Sequence, residues 1–346
     1  MNNYMEHSME TIFKKKIVIA GGGKHCKSFI QEFCVDRKII PFPAYITDNN
    51  PELQGHTVCG IPVYSHMEIL KENPENTIII ITAAYLSLFD QLYNCGLYYF
   101  QMLFAPSIEM FFYLKENSHK FNEVVNLLGD ENSKLVYTTF LNNLSNNILI
   151  NNCQTPNPYF GNDIIPTLDD NDVIVSGGTY NGNHIDRALQ LNSKIKAYAF
   201  EPNQKYAEFL KEKFADNHNI QVYNKALFDC NQMVGFDASI ALGAKVVLED
   251  KITQNQVEAV KLDDMPCDDA TLIEMDIEGS ERKALLGAMK TIQSNRPKLG
   301  ICIYHSTEEY IEIPLMIHRM ELGYKLHIRQ HAASTTEMVC YGIAGR

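Results

Sequence analysis

The stretch Ala270–Ala284, which reads ATLIEMDIEGSERKA, decides the fold of this chain. Its apolar first half predicts a short buried strand that runs directly into Asp276 and Glu278. Gly279 follows, and the next segment carries the acid Glu281 in its first turn, which is typical of a helix start. Open α/β sheets bind ligands where parallel strands end and helices begin. We therefore expect a ligand site at this point of the chain.

Three apolar strands with the same character precede this stretch, namely Asp172–Val175, Lys196–Phe200 and Ile220–Tyr223. The first strand is followed by the glycine loop Ser176–Gly182, and the second strand is followed by Glu201. Glycines let a backbone approach a ligand closely, and an acid at the end of the next strand can accept both hydroxyls of a ribose. The spacing therefore predicts a site for a nucleoside-containing cofactor.

The region before residue 104 alternates short strands and helices, which indicates a parallel, Rossmann-like sheet. Its first strand, Lys16–Ala20, ends on a glycine-rich loop, and the second strand is followed by an acid. The backbone N–H groups of the loop could bind a phosphate while the acid binds a ribose, or the loop could simply form a tight turn. The candidate nucleotide site consists of Gly21, Gly22, Gly23, Lys24 and Asp48.

Residues 105–162 change character, because apolar residues recur there at helical spacing and strand signals are absent. We predict two or three connecting helices, which could also contribute to a homodimer. The segment Pro156–Gly161 is rich in chain breakers and could be a lid over a pocket or an ordinary linker. Near the end of the chain, Lys298–Ile303 reads as a strand, and Lys325–Arg329 with Met338–Ile343 as an antiparallel pair. Four polar residues of this last region could contact an acceptor or face solvent, namely His327, Arg329, His331 and Glu337.

Composition limits the classes of function that this chain can have. The net charge is −12 without any block of basic residues, which argues against nucleic acid as a partner. The nine cysteines include no C-x-x-C pair, so a disulfide framework or structural zinc site is not expected. No apolar run approaches the ~20 residues that a membrane helix needs. We expect a cytoplasmic protein without a membrane span.

Six segments of the second half carry a family resemblance, and they are Val173–Gly182, Ala199–Asn203, Asn224–Leu227, Val260–Asp264, Met275–Glu281 and Pro297–His305. Together they resemble the FkbM-type family of S-adenosylmethionine-dependent methyltransferases, in the family's order, over about residues 163–343. The resemblance implies a class I fold with seven strands and O-methylation of a hydroxyl on a sugar, glycan precursor or related metabolite.

The resemblance also implies roles for individual residues. It places Asp276 near the sulfonium and the acceptor. Asp276 and His305, which both stand at predicted strand ends, are the catalytic candidates, with Tyr304 as a positioning residue, while His305 could instead cap or pack against the helix that follows it. Ser176 departs from the family pattern, because such loops normally begin with an acid, and Asp276 is the candidate to supply the missing charge. The residues implied in binding S-adenosylmethionine are Ser176, Gly177, Gly178, Tyr180, Gly182, Glu201, Pro202, Asn224, Ala226 and Asp276.

The N-terminal region resembles the small Rossmann-like domain of sugar-modifying enzymes that bind a nucleotide-linked sugar. We predict such a domain over 1–104, a helical linker over 105–162 and the methyltransferase domain over 163–346. A site for a metal ion at Asp263, Asp264, Asp276 and Glu278 is conceivable, but we predict none. Two alternatives stay open, an NAD(P)-dependent oxidoreductase or epimerase that uses Asp48, and a non-catalytic sugar-nucleotide-binding protein.

Overall fold

The structure is a computed structural model that describes residues 12–82, 85–148, 154–237, 245–247, 256–332 and 336–345. The chain divides into two compact units. The first contains residues 1–115 and 142–148, and the second contains residues 116–141 and 149–346. The region 105–162 is shared between these two units rather than forming one of its own.

The first unit contains a six-stranded sheet in the order β3-β4-β2-β1-β5-β6, in which β3 and β4 are antiparallel and the other pairs are parallel. Its central strands are continuous apolar runs, as expected for a sheet that is covered on both faces. The strands are β1 (Lys16–Ala20), β2 (Tyr45–Thr47), β3 (Thr57–Val58), β4 (Ile61–Tyr64), β5 (Thr77–Ile81) and β6 (Gln101–Phe104). The α-helices are α1 (Lys24–Phe29), α2 (Tyr85–Leu92) and α3 (Ala105–Glu116).

The second unit contains a seven-stranded sheet in the order β16-β17-β15-β14-β7-β8-β9. The pairs are parallel except that β17 runs antiparallel to both β15 and β16. This order confirms the seven-stranded class I fold and its terminal antiparallel pair. The strands are β7 (Val173–Gly177), β8 (Lys196–Phe200), β9 (Ile220–Tyr223), β14 (Leu272–Met275), β15 (Lys298–Cys302), β16 (Tyr324–Gln330) and β17 (Met338–Ala344).

Helices cover this sheet, and a smaller sheet of order β10-β13-β11-β12 is formed by the segment after β9. Residues 238–244 and 248–255 of that segment lie outside the described residues. The helices are α4 (Ser118–Leu127), α5 (Glu131–Ser145), α6 (Asn183–Leu191), α7 (Gln204–Lys213), α8 (Glu281–Gly287), α9 (Met289–Asn295) and α10 (Glu309–Arg319). The small strands are β10 (Ala226–Leu227), β11 (Gln232–Asp237), β12 (Lys245–Val247) and β13 (Gln256–Val260).

The segment 154–165 packs across one face of the large sheet as part of the core. Tyr159 and Phe160 are fully buried. The hydroxyl oxygen of Tyr341 accepts hydrogen bonds from the Tyr159 N–H at 2.9 Å and from the Asn162 amide at 3.1 Å. The breaker-rich residues are therefore neither a lid nor a plain linker. Within the described residues, no helix combines the length and the apolar character needed to cross a membrane.

Candidate active site

The glycine loop after β7 is shaped by its close contact with the end of β14. Gly178 has a φ of 77°, and a Cβ atom there would lie 1.9 Å from the carbonyl oxygen of Asp276. Gly182 has a φ of 79° and is crowded by the side chains of Leu210 and Phe214. Only glycine fits a left-handed position with so little space. The loop therefore presents bare backbone beside the end of β14.

Glu201 ends β8 and faces this loop. Its carboxylate oxygens accept the backbone N–H groups of Tyr180 and Asn203, each at 2.8 Å. Burial raises the pKa of Glu201 above its ordinary value, and these two hydrogen bonds oppose that effect. A carboxylate offers about four acceptor positions, so Glu201 can still accept two ribose hydroxyls.

Asn224 joins the ends of β8 and β9, because its side-chain amide donates to the carbonyl oxygens of Glu201 and Pro202 at 2.9 and 3.0 Å. Ala226 is buried in β10. The structure brings these residues to the edge where Glu201 lies. A contact between this segment and an adenine ring stays a prediction.

Asp276 follows β14 in a turn that Glu281 holds in place. Glu278 has a φ of 58° and Gly279 a φ of 92°, so the turn is left-handed at both positions. The Glu281 side chain is fully buried, and its carboxylate accepts the N–H groups of Ile277 and Gly279 at 2.8 and 2.9 Å. The turn is thus fixed by a carboxylate from the helix that follows it.

His305 lies between carboxylates. Its Nδ1 is 2.9 Å from Glu281, and its Nε2 is 3.1 Å from Asp276 and 3.7 Å from Glu278. Burial alone would lower the pKa of His305, but Glu281 and Asp276 raise it well above its ordinary value. The Tyr304 hydroxyl lies 3.1 Å from both oxygens of Asp276. Burial alone would raise the pKa of Asp276, but His305 and Tyr304 lower it. We infer an ionised Asp276 beside an imidazolium.

His305 and His331, two histidines of the second unit, have pKa values that are shifted in opposite directions. His305 should remain protonated at pH 8, because carboxylates surround it. His331 should remain neutral at pH 5.5, because burial lowers its pKa to about 4. NMR of ¹⁵N-labelled imidazoles between pH 5 and 9 reports both states, with His305→Gln and His331→Gln to assign the signals. A neutral His305 at pH 7 would contradict the charge arrangement described above.

The four carboxylates considered as a metal site from the sequence do not come together. Asp263 accepts the N–H of Thr291 at 2.9 Å, and Asp264 accepts the side-chain amide of Asn231 at 2.7 Å. In the part of the chain that the structure describes, the cluster of potential ligand atoms within 4.8 Å of one another belongs to Asp276, Glu281 and His305. The imidazolium supplies the positive charge in this cluster.

The loop of the N-terminal candidate site is bonded to Asp48. One oxygen of this carboxylate accepts the Gly22 N–H at 2.6 Å, and the other accepts the Asn50 N–H at 2.8 Å. Gly21 has a φ of 96° and is buried. The exposed residues of the loop are Gly23 and Lys24. The structure thus brings the loop and the acid together, and a ribose would share Asp48 with two backbone donors.

Several polar residues have positions that the sequence did not indicate. Glu274 is buried on β14 as the Cα partner of Ser176, and the signal for it was an acid within an apolar strand. Arg329 and His331, which were candidates for acceptor contact, instead take part in internal networks with Asp163 and Tyr341. His327, a third candidate, pairs with Asp130. The fourth candidate, Glu337, has its pKa raised by burial and then by Asp276.

A family model described as the methyltransferase FkbM domain matches residues 176–326. No curated protein gives a significant match. A solved FkbM methyltransferase from Methylobacillus flagellatus KT is 18% identical, with 99% of this chain and 94% of that chain covered and a TM-score of 0.62, which shows a shared fold. Precorrin-6y C5,15-methyltransferase from Geobacter metallireducens GS-15 is 12% identical, with coverages of 51% and 82% and a TM-score of 0.33.

The family match supports S-adenosylmethionine as the cofactor, and the site geometry fits it. Gly178 lets the backbone of the loop lie directly beside the end of β14, Glu201 keeps acceptor positions for a ribose, and the buried Glu274 has an oxygen with no hydrogen-bond partner among the described residues. Acceptor positions, open backbone and negative charge are what a cationic nucleoside requires. Residues 176–326 of this chain are thus similar to the methyltransferase FkbM domain.

Proposed function

We propose that the protein transfers a methyl group from S-adenosylmethionine to a hydroxyl of a sugar, glycan precursor or related metabolite. The observation that carries this proposal is Asp276, whose backbone lies beside the glycine loop and whose carboxylate is kept ionised by His305 and Tyr304. A carboxylate at this place can accept the hydrogen bond of an acceptor hydroxyl and hold its oxygen in line with the methyl group.

Three residues of the chain have separate roles in this reaction. Bound S-adenosylmethionine supplies an electrophilic methyl group. Asp276 orients the acceptor hydroxyl and receives its proton, while Tyr304 donates to the same carboxylate and fixes its direction. His305 is a cation between Asp276 and Glu281 and therefore acts as a positioning residue rather than as a base.

The charge around Asp276 favours an uncharged acceptor. Glu278 lies 3.7 Å from the imidazole of His305, and Glu337 interacts electrostatically with both Asp276 and His305. Several carboxylates beside one imidazolium repel an anionic acceptor and offer hydrogen-bond acceptors to hydroxyls. These features support a neutral, polyhydroxylated acceptor.

The function is tested by incubating the full chain with methyl-labelled S-adenosylmethionine and a panel of sugars, glycans and matched amines. Label in an ether linkage supports the proposal, and label in an amine alone would refute O-methylation. Glu201→Ala should weaken S-adenosylmethionine binding by roughly 100-fold or more in calorimetry, because two charge-assisted hydrogen bonds are lost. Glu212→Ala, at an exposed acid on α7, is the control. Equal affinities of the two variants would exclude Glu201 from the cofactor site.

A second candidate function concerns the first unit, which we propose binds a nucleotide-linked sugar. The observation in its favour is the glycine loop that Asp48 holds through the Gly22 N–H. Binding of uridine diphosphate sugars that is lost in Asp48→Ala would support it. Tight binding of NAD, lost in the same variant, would favour the oxidoreductase alternative instead.

A further inference from the structure

Ser176 and Glu274 face each other across the two central strands of the large sheet. They are Cα partners in the parallel pair of β7 and β14. Their exposed fractions are 0% and 1%. The Ser176 hydroxyl interacts with the Glu274 carboxyl in the sense that lowers the pKa of this acid, and the Thr179 hydroxyl lies 3.1 Å from the Ser176 oxygen. A buried acid therefore sits directly beside the start of the glycine loop.

Among the described residues, no lysine or arginine pairs with this acid. Its Oε1 atom has no hydrogen-bond partner among the described residues. The nearest basic group is Nδ1 of His184 on α6, at 3.9 Å, and burial lowers the pKa of His184 to about 4. The other titratable groups that face Glu274 are Tyr159 and Asp276, and neither is a cation. Burial accordingly raises the pKa of Glu274 to about 8.

An acid buried in this way costs free energy unless something compensates it, so such groups tend to mark functional sites. The loop Ser176–Gly182 contains no acid of its own. Asp276 is already paired with His305, and Glu201 faces the loop from the end of β8. Of these three acids, Glu274 is therefore the one that is neither paired with a cation nor bonded to the backbone of the loop.

We propose that Glu274, from the strand beside the glycine loop, supplies the negative charge that faces the ammonium group of bound S-adenosylmethionine. This inference rests on the proposed function. On binding, the carboxylic acid of Glu274 releases its proton to the solvent, and the resulting carboxylate balances the ammonium through the Ser176 hydroxyl. A serine is then sufficient at the start of the loop, because the charge comes from the neighbouring strand.

The test is calorimetric titration of the full chain at pH 7 in buffers of different ionisation enthalpy. The ligands are S-adenosylmethionine and 5′-methylthioadenosine, which lacks the ammonium group. Wild type should release about one proton with S-adenosylmethionine and none with 5′-methylthioadenosine. Glu274→Gln should bind S-adenosylmethionine roughly tenfold more weakly without proton release, and should bind 5′-methylthioadenosine like wild type. Glu212→Gln should behave as wild type does.

A double variant distinguishes the effect of the carboxylate's negative charge from the effect of the side chain's shape. In Ser176→Asp combined with Glu274→Gln, the carboxylate lies on β7 instead of on the neighbouring β14. This variant should regain affinity for S-adenosylmethionine to within about threefold of wild type. Unchanged affinity and proton release in Glu274→Gln would overturn the inference. An equal loss for both ligands would also overturn it, because the effect would then not depend on the ammonium. If wild type bound neither ligand, the proposed function itself would fail.

Discussion

Gly178→Ala should abolish measurable binding of S-adenosylmethionine and lower the stability of the second unit. The new Cβ atom would lie 1.9 Å from the carbonyl oxygen of Asp276, and the neighbour is backbone, which cannot rotate away. A φ of 77° adds the strain of a left-handed position. The loop must therefore move away from the end of β14, and this shifts both the loop and Asp276 from their positions. Calorimetric titration and thermal unfolding would measure both effects.

The chain offers a matched control for this substitution. Gly323 has a φ of 73°, and a Cβ atom there would meet nothing within 4 Å. Gly323→Ala should thus cost only the left-handed strain, about 1–2 kcal/mol, and leave cofactor binding unchanged. If both variants melted alike and bound S-adenosylmethionine alike, the contact between the loop and the Asp276 carbonyl would have no functional importance.

Arg329→Ala should destabilise the second unit by about 1–3 kcal/mol, between the costs for exposed and fully buried ion pairs, because Arg329 is buried while its partner Asp163 is half exposed. Only 3% of Arg329 is exposed. Its guanidinium donates to Asp163 through Nε at 3.0 Å and through NH2 at 2.6 Å, and to the Ser133 hydroxyl at 2.7 Å. It also lies 3.4 Å from Asp130. The substitution leaves these acceptors without their donor.

Urea unfolding measures this loss, provided that the transition of the second unit is followed separately from that of the first. Arg319→Ala is the matched control, because Arg319 and its partner Glu123 are 56% and 43% exposed and lie 3.9 Å apart. Exposed pairs contribute roughly 0–1 kcal/mol. Equal midpoints for the two variants would mean that the Arg329 network does not stabilise the fold.

The strands of both sheets could be predicted because their signal is local. Lys16–Ala20, Lys196–Phe200 and Ile220–Tyr223 are apolar runs bounded by turn residues, and the structure gives each of them the predicted limits. The meeting of Asp276 with His305 could also be expected, because the two residues follow adjacent strands of one sheet. Strand ends that share an edge bring their next residues together.

The remaining features depend on contacts that no local pattern encodes. Arg329 lies on a strand whose polar residues suggested contact with an acceptor or solvent, but residues 166 and 196 positions away surround it. Tyr159 lies in a segment of chain breakers, and its burial depends on Gly300 and Tyr341. The sequence pattern assigns no role to Glu274, an acid within an apolar strand. Its role depends on the register of β14 with β7, which places it opposite Ser176.

The segment 154–165 also constrains when the second unit can finish folding on the ribosome. Its bonds join Tyr159 to Tyr341 and Thr155 to His331, over 182 and 176 positions. The face of the sheet that Tyr159 covers therefore stays open until the last two strands have been synthesised. Translation at about 5–20 residues per second makes this interval roughly 10 to 35 s. Until then the nascent chain exposes apolar strands, and it is during this interval that we expect it to need chaperones.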